Sequence, residues 1–79
     1  MLIHAKILHT LLGMGLDVGK MKRLRELAKL SQEEAARAAG MKTKQAWNRI
    51  ESGTHVNVSV GTLEGIATAL GVKAKDLLK

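Results

Sequence analysis

The chain has 79 residues, no cysteine, no proline, a single Trp as its only aromatic residue and a formal net charge of +6. That length holds one domain, and so small a core relies on close helix packing or a partner subunit, because disulfides and cysteine-ligated zinc are both excluded. An apolar share of 46% is too high for a disordered tail, and no apolar run reaches the roughly 18–20 residues of a membrane span.

Residues 1–12 are predicted to form an amphipathic helix, with Ile3, Ile7, Leu8, Leu11 and Leu12 at helical spacing. Lys6 is the one cation near the start and no small-x-small cleavage pattern follows, which argues against a secretory signal. Gly13, Gly15 and Gly19 break this helix. A second is expected over 21–30, turning Met21, Leu24, Leu27, Ala28 and Leu30 inward. Ser31-Gln32-Glu33-Glu34 then reads as a capping box, in which the serine oxygen and the glutamate each satisfy a free amide. The helix it opens runs through Ala39 and ends at Gly40, where a left-handed backbone is cheap for glycine. Thr43 is the next N-cap, for a helix over 43–52 with Ala46, Trp47 and Ile50 on its inner face and Gly53 as its stop. Residues 54–58 form a loop in which Val56 and Val58 are the only strand-like hint. Ser59 caps a further helix that buries Val60, Leu63, Ile66, Ala67 and Leu70 and ends at Gly71. A short last helix over 73–78 buries Leu77 and Leu78. The expected organisation is an N-terminal extension, 1–19, followed by an all-α domain, 20–79.

Two short helices separated by about three residues, the first ending at glycine, form a helix-turn-helix pattern. In that arrangement the first helix crosses the phosphate backbone and the second lies in the major groove. Ala35, Ala36 and Ala39 supply small residues where the pair must touch, and the large Trp47 faces them. The charge agrees with such a use. Lys20, Lys22, Arg23, Arg25, Lys29, Arg37, Lys42, Lys44 and Arg49 are opposed only by Glu26, Glu33 and Glu34 between residues 20 and 49, so the whole +6 falls there. Taken alone, such a stretch is equally well a solvated basic face.

At Ser31-Gln32-Glu33-Glu34-Ala35-Ala36, Gly40, Ile50-Glu51-Ser52-Gly53, Thr62-Leu63 and Ala69-Leu70-Gly71-Val72 the sequence resembles the phage repressor and Cro-like (XRE-type) helix-turn-helix family. The likeness covers residues 21–78. It implies a compact, lambda-repressor-like bundle of about five helices, here with an added N-terminal helix, that binds operator DNA as a homodimer. It also implies roles for matching positions. Lys44, Gln45 and Arg49 fall where the family reads bases; arginine can bridge the two acceptors of guanine and glutamine the edge of adenine. Gln32, Lys42, Thr43, Asn48 and Asn57 fall where it meets phosphate or the rim of the groove, helped at Gln32 by the backbone amides of a helix start. Arg25 and Glu51 match a structural ion pair between the first family helix and the end of the recognition helix. Two features depart from the pattern. The turn between Gly40 and Thr43 is one residue longer than the commonest family spacing, and Ala35 and Ala39 replace larger aliphatics while Trp47 replaces a smaller residue.

The expected function is that of a cytoplasmic, nucleoid-associated transcriptional regulator, most simply a repressor, with double-stranded DNA as partner. The rival reading is a protein-interaction module, an antitoxin or adaptor that holds a protein partner through the N-terminal helix. No enzyme, cofactor or metal is expected. There is no nucleophile turn or glycine-rich phosphate loop, and His4 and His9, five apart, miss the i, i+4 ligand spacing. His55 is read as a solvated loop residue.

Overall fold

The computed structural model describes residues 15–53 and 58–79. The helix expected over 1–12, the histidines His4, His9 and His55, and the loop residues Val56 and Asn57 lie outside the described residues. Among the described residues there are four α-helices, α1 (Val18–Leu27), α2 (Gln32–Ala38), α3 (Lys44–Glu51) and α4 (Val60–Leu70), followed by a 3₁₀ turn, Ala74–Leu77. Among the described residues there is no strand, only an isolated antiparallel bridge between Leu16 and Leu78.

Side-chain caps set most of the helix starts. The Asp17 carboxylate accepts the Lys20 amide at 3.0 Å, so α1 begins before Met21 and takes in Gly19. A good cap contributes about 1 kcal/mol, enough to offset a glycine in the first turn. The capping box of α2 is complete: the Glu34 amide donates to Ser31 Oγ at 3.0 Å and the Ser31 amide to Glu34 Oε1 at 2.8 Å. Thr43 Oγ1 accepts the Ala46 amide at 3.2 Å, and Ser59 Oγ accepts the Thr62 amide at 3.1 Å.

The helix ends share one device. At the end of α2, the Met41 amide reaches back to the Ala36 carbonyl at 2.8 Å, with Gly40 at φ +82°. At the end of α1 the Leu30 amide bonds the Arg25 carbonyl at 3.1 Å and the Lys29 amide the Glu26 carbonyl at 3.0 Å. There the left-handed position is held by Lys29, at φ +59°, and not by glycine. This closure ends α1 at Leu27 instead of Leu30. It also turns Leu27 (72% exposed) and Ala28 to solvent, against the expectation that both face the core.

The helices α3 and α4 both pack on α2, and α1 closes over α3 and α4. The largest fully buried side chains are Trp47, Met21, Ile66 and Leu77, which share the core with Ala35, Ala36, Ile50, Leu63 and Ala67. Small residues permit this density. A Cβ placed on Gly65 of α4 would lie 2.5 Å from the Ala39 carbonyl oxygen, so the two backbones touch where Ala39 follows α2. Val60 is 47% exposed rather than inward, because it opens α4 beside the cap, and Val58 from the preceding segment is buried in the core. The last helix is the 3₁₀ turn, with Leu77 buried and Leu78 half-buried. The first described residues pair with the last: the Asp17 amide donates to the Leu77 carbonyl at 2.7 Å and the Lys79 amide to the Gly15 carbonyl.

Candidate nucleic-acid interface

The helix α3 has two faces of different chemistry. Trp47 and Ile50 are buried, whereas Lys44, Gln45, Asn48 and Arg49 are exposed on the opposite side. A helix repeats every 3.6 residues, so the pairs Lys44/Asn48 and Gln45/Arg49 form adjacent rows on one surface. Lys42 and Thr43 are exposed at the start of that surface. A cleft of about 410 Å³ opens beside it, with Arg37, Lys42, Thr43, Lys44 and Gln45 on its walls. On the other flank Arg49 shares a hollow of about 210 Å³ with Met41, Ala46, Ile50 and Thr62. Gln32, half-buried at the start of α2, stands beside Asn48. Asn57 lies outside the described residues.

Beneath this surface the Glu51 carboxylate gathers donors from three side chains. Arg25 Nε donates to Oε2 at 2.8 Å and Arg25 Nη2 to Oε1 at 3.0 Å, a bidentate pair. Trp47 Nε1 donates to Oε2 at 2.6 Å and Gln32 Nε2 to Oε1 at 3.2 Å. The third nitrogen of Arg25, Nη1, donates to the Leu30 carbonyl at 2.8 Å and so also fastens the end of α1. The two side chains of the ion pair are 13% and 5% exposed. Burial pushes the Glu51 carboxyl up, but the hydrogen bonds from Arg25, Trp47 and Gln32 and the Arg25 charge outweigh it and hold the group below the usual carboxylate range. The Glu51 hydrogen bond raises Arg25 in turn, against its own burial. The other described ion pair, Arg37 to Glu33 at 3.6 Å, is mostly exposed and contributes little.

The bond from Trp47 to Glu51 and the link from Gln32 to Asn48 and Glu51 are additions to the sequence reading. The i, i+4 spacing of Trp47 and Glu51 is the signal in the sequence for the first. The second joins residues of two helices, and nothing local announces it.

A helix capped at Thr43, buried on its indole side and exposed on its cationic side, packed after a short turn against a capped partner helix, defines a helix-turn-helix domain. The family model described as "Helix-turn-helix domain" matches residues 19–78, and the chain belongs to this DNA-binding family. No curated protein and no solved structure matches significantly. Among the described residues no group of His, Asp and Glu is placed to hold a metal ion, and no helix is long and apolar enough to cross a membrane.

Proposed function

We propose that the protein is a sequence-specific transcriptional regulator of the phage repressor and Cro-like type, acting as a repressor at an operator that a homodimer reads. The observation that carries this is the exposed row of Lys44, Gln45, Asn48 and Arg49 on a helix whose opposite side is locked into the core. Lys44, Gln45 and Arg49 read bases in the major groove. Gln32, Lys42, Thr43, Asn48 and Asn57 lie at phosphates or the groove rim. Phosphate neutralisation supplies affinity and base contacts supply sequence preference. Two copies would bind half-sites about 34 Å apart, on one face of the duplex. The working place is the cytoplasm, on the nucleoid.

Footprinting with Arg49→Ala combined with Gln45→Ala tests the assignment. The double variant is expected to lose sequence preference while keeping weak, salt-sensitive association; full retention of preference would remove α3 as the reader.

Leu27, a large apolar side chain 72% exposed at the end of α1, favours a second reading, a protein-interaction module such as an antitoxin or adaptor. Salt separates the two. Binding through several phosphates weakens by about a thousandfold or more between about 50 and 200 mM salt, whereas an apolar protein contact barely changes.

A further inference from the structure

The hydrogen bonds at the start of α2 fix the polarity of an exposed side chain on α3. Gln32 Nε2 carries two hydrogens, and both are engaged: one with Asn48 Oδ1 at 3.1 Å and one with Glu51 Oε1 at 3.2 Å. A carboxylate accepts only, so Glu51 dictates which end of the Gln32 amide faces it. Gln32 must therefore donate to Asn48, and Asn48 must turn its oxygen toward α2. What remains free on Asn48 is Nδ2 and its two hydrogens, which have no partner among the described residues and belong to an exposed side chain. An asparagine free to choose its orientation pairs with adenine, accepting from N6 and donating to N7. The oxygen keeps a second lone pair, but because it is turned toward Gln32 the outward end of this amide is the Nδ2 donor.

We infer that Asn48 is a base-reading residue that prefers a keto base, guanine through O6 and N7 or thymine through O4, with Gln32 as the positioning residue that turns it away from cytosine and from the bidentate pair with adenine. The inference rests on the DNA-binding reading above and moves Asn48 from the rim to the reading face. Cytosine presents a donor at N4, which meets the Nδ2 hydrogens head-on, and adenine presents its N6 donor beside N7. By the same bonds, Gln32 keeps only its carbonyl oxygen free, so its side chain cannot donate to a phosphate and the phosphate role given to this position above falls to the backbone amides of the helix start.

Selection of bound duplexes from a random pool by the full chain, at fixed low salt, tests this with three variants. For the wild type, one position of the site is expected to favour guanine or thymine by on the order of tenfold. In Asn48→Asp the free oxygen is an acceptor, so that position should switch to cytosine while the others keep their preference. Asn48→Ala should level the position. Gln32→Ala frees the Asn48 amide to rotate and should admit adenine there, an effect that a merely structural role for Gln32 does not produce. A base profile unchanged in Asn48→Asp, or affinity lost equally for all sequences as a phosphate contact requires, overturns the inference. If the wild type retains no duplex at all, it is the DNA-binding reading that fails.

Discussion

Replacing Glu51 with alanine should destabilise the domain far more than the loss of a surface ion pair. The carboxylate is the acceptor for Arg25, Trp47 and Gln32 at once. Trp47 is fully buried, so its indole N–H would be left without a partner, at a cost of about 1–3 kcal/mol. Removing one member of a buried ion pair costs about 3–5 kcal/mol when the other charge is stranded. Arg25 is 13% exposed and keeps its bond to the Leu30 carbonyl, which softens that figure. A loss of about 3–4 kcal/mol is expected in all. Domains of this length have a total stability of only about 4–12 kcal/mol, so the variant should be partly unfolded at modest urea. The lone tryptophan gives a direct assay, since its fluorescence reports on the same site and can be compared with helical circular dichroism. Replacing Arg25 and Glu51 together with methionine should cost less than Glu51→Ala alone, because no charge is stranded. A Glu51→Ala midpoint within about 0.5 kcal/mol of wild type would mean that the carboxylate is effectively solvated and the buried-network argument is wrong.

The pH dependence follows from the same group. Its folded carboxyl titrates below its unfolded one, so its contribution is complete above the ordinary glutamate value of about 4.3 and is lost as the pH falls through the depressed folded value. Urea midpoints should drop on acidification, and Glu51→Gln should flatten that drop; equal slopes would assign the acid sensitivity elsewhere. Two glycines of α4 should respond with opposite signs. Gly65→Ala drives a methyl to 2.5 Å from the Ala39 carbonyl oxygen, and overpacking of about 1–3 kcal/mol exceeds the helix propensity gain of about 1 kcal/mol. Gly61→Ala meets nothing closer than Ser59 Oγ at 3.9 Å and should raise the urea midpoint; the same sign at both sites would refute the close approach of α4 to the end of α2. Lys29→Gly relieves a side chain at φ +59° and should stabilise by about 1 kcal/mol, read as a higher thermal midpoint; a lower one would mean that the lysine side chain compensates its own strain.

Local chemistry explains which parts of this structure could be read from the chain. Ser31, Thr43 and Ser59 announce helix starts because capping needs only a hydroxyl and the next turn, and Gly40 and Gly71 announce ends because few other residues tolerate the left-handed backbone. The end of α1 was illegible for the complementary reason: Lys29 occupies such a position without the residue type that signals it. Asp17 lies between glycines that suggest a break, although its carboxylate is as good a cap as any hydroxyl. The pairing of residues 15–17 with 77–79 joins opposite ends of the described chain, and single-residue patterns carry no trace of it. At the interface, the helical phase of Trp47 and Ile50 already points Lys44, Gln45 and Arg49 outward. The orientation of the Gln32 and Asn48 amides depends on a third residue buried below them, so it emerges only in three dimensions.

The turn between Gly40 and Thr43 does not by itself set the register of α3. Met41 packs against the core and its amide holds the Ala36 carbonyl, which fixes the end of α2 rather than the rotation of α3. Lys42 and Thr43 are exposed, and the Thr43 cap would serve the helix equally well with an added residue before it. The constraint comes from the far end. Glu51 is clamped by two nitrogens of Arg25, Trp47 is fastened to Glu51 one turn earlier, and Ile50 is buried between them in sequence. With the rotation of the helix set at its C-terminal half, an extra residue can only accumulate upstream, in the turn. A residue added to the turn would therefore lengthen the approach to α3 without rotating Asn48 or Arg49 off the exposed face. It also follows that a residue deleted from the turn should leave the outward face of α3 unchanged, whereas a residue inserted between Trp47 and Glu51 should unseat the indole and abolish the face altogether. Tryptophan fluorescence distinguishes these outcomes, and a deletion at Lys42 that exposes the indole would place the control of register in the turn after all.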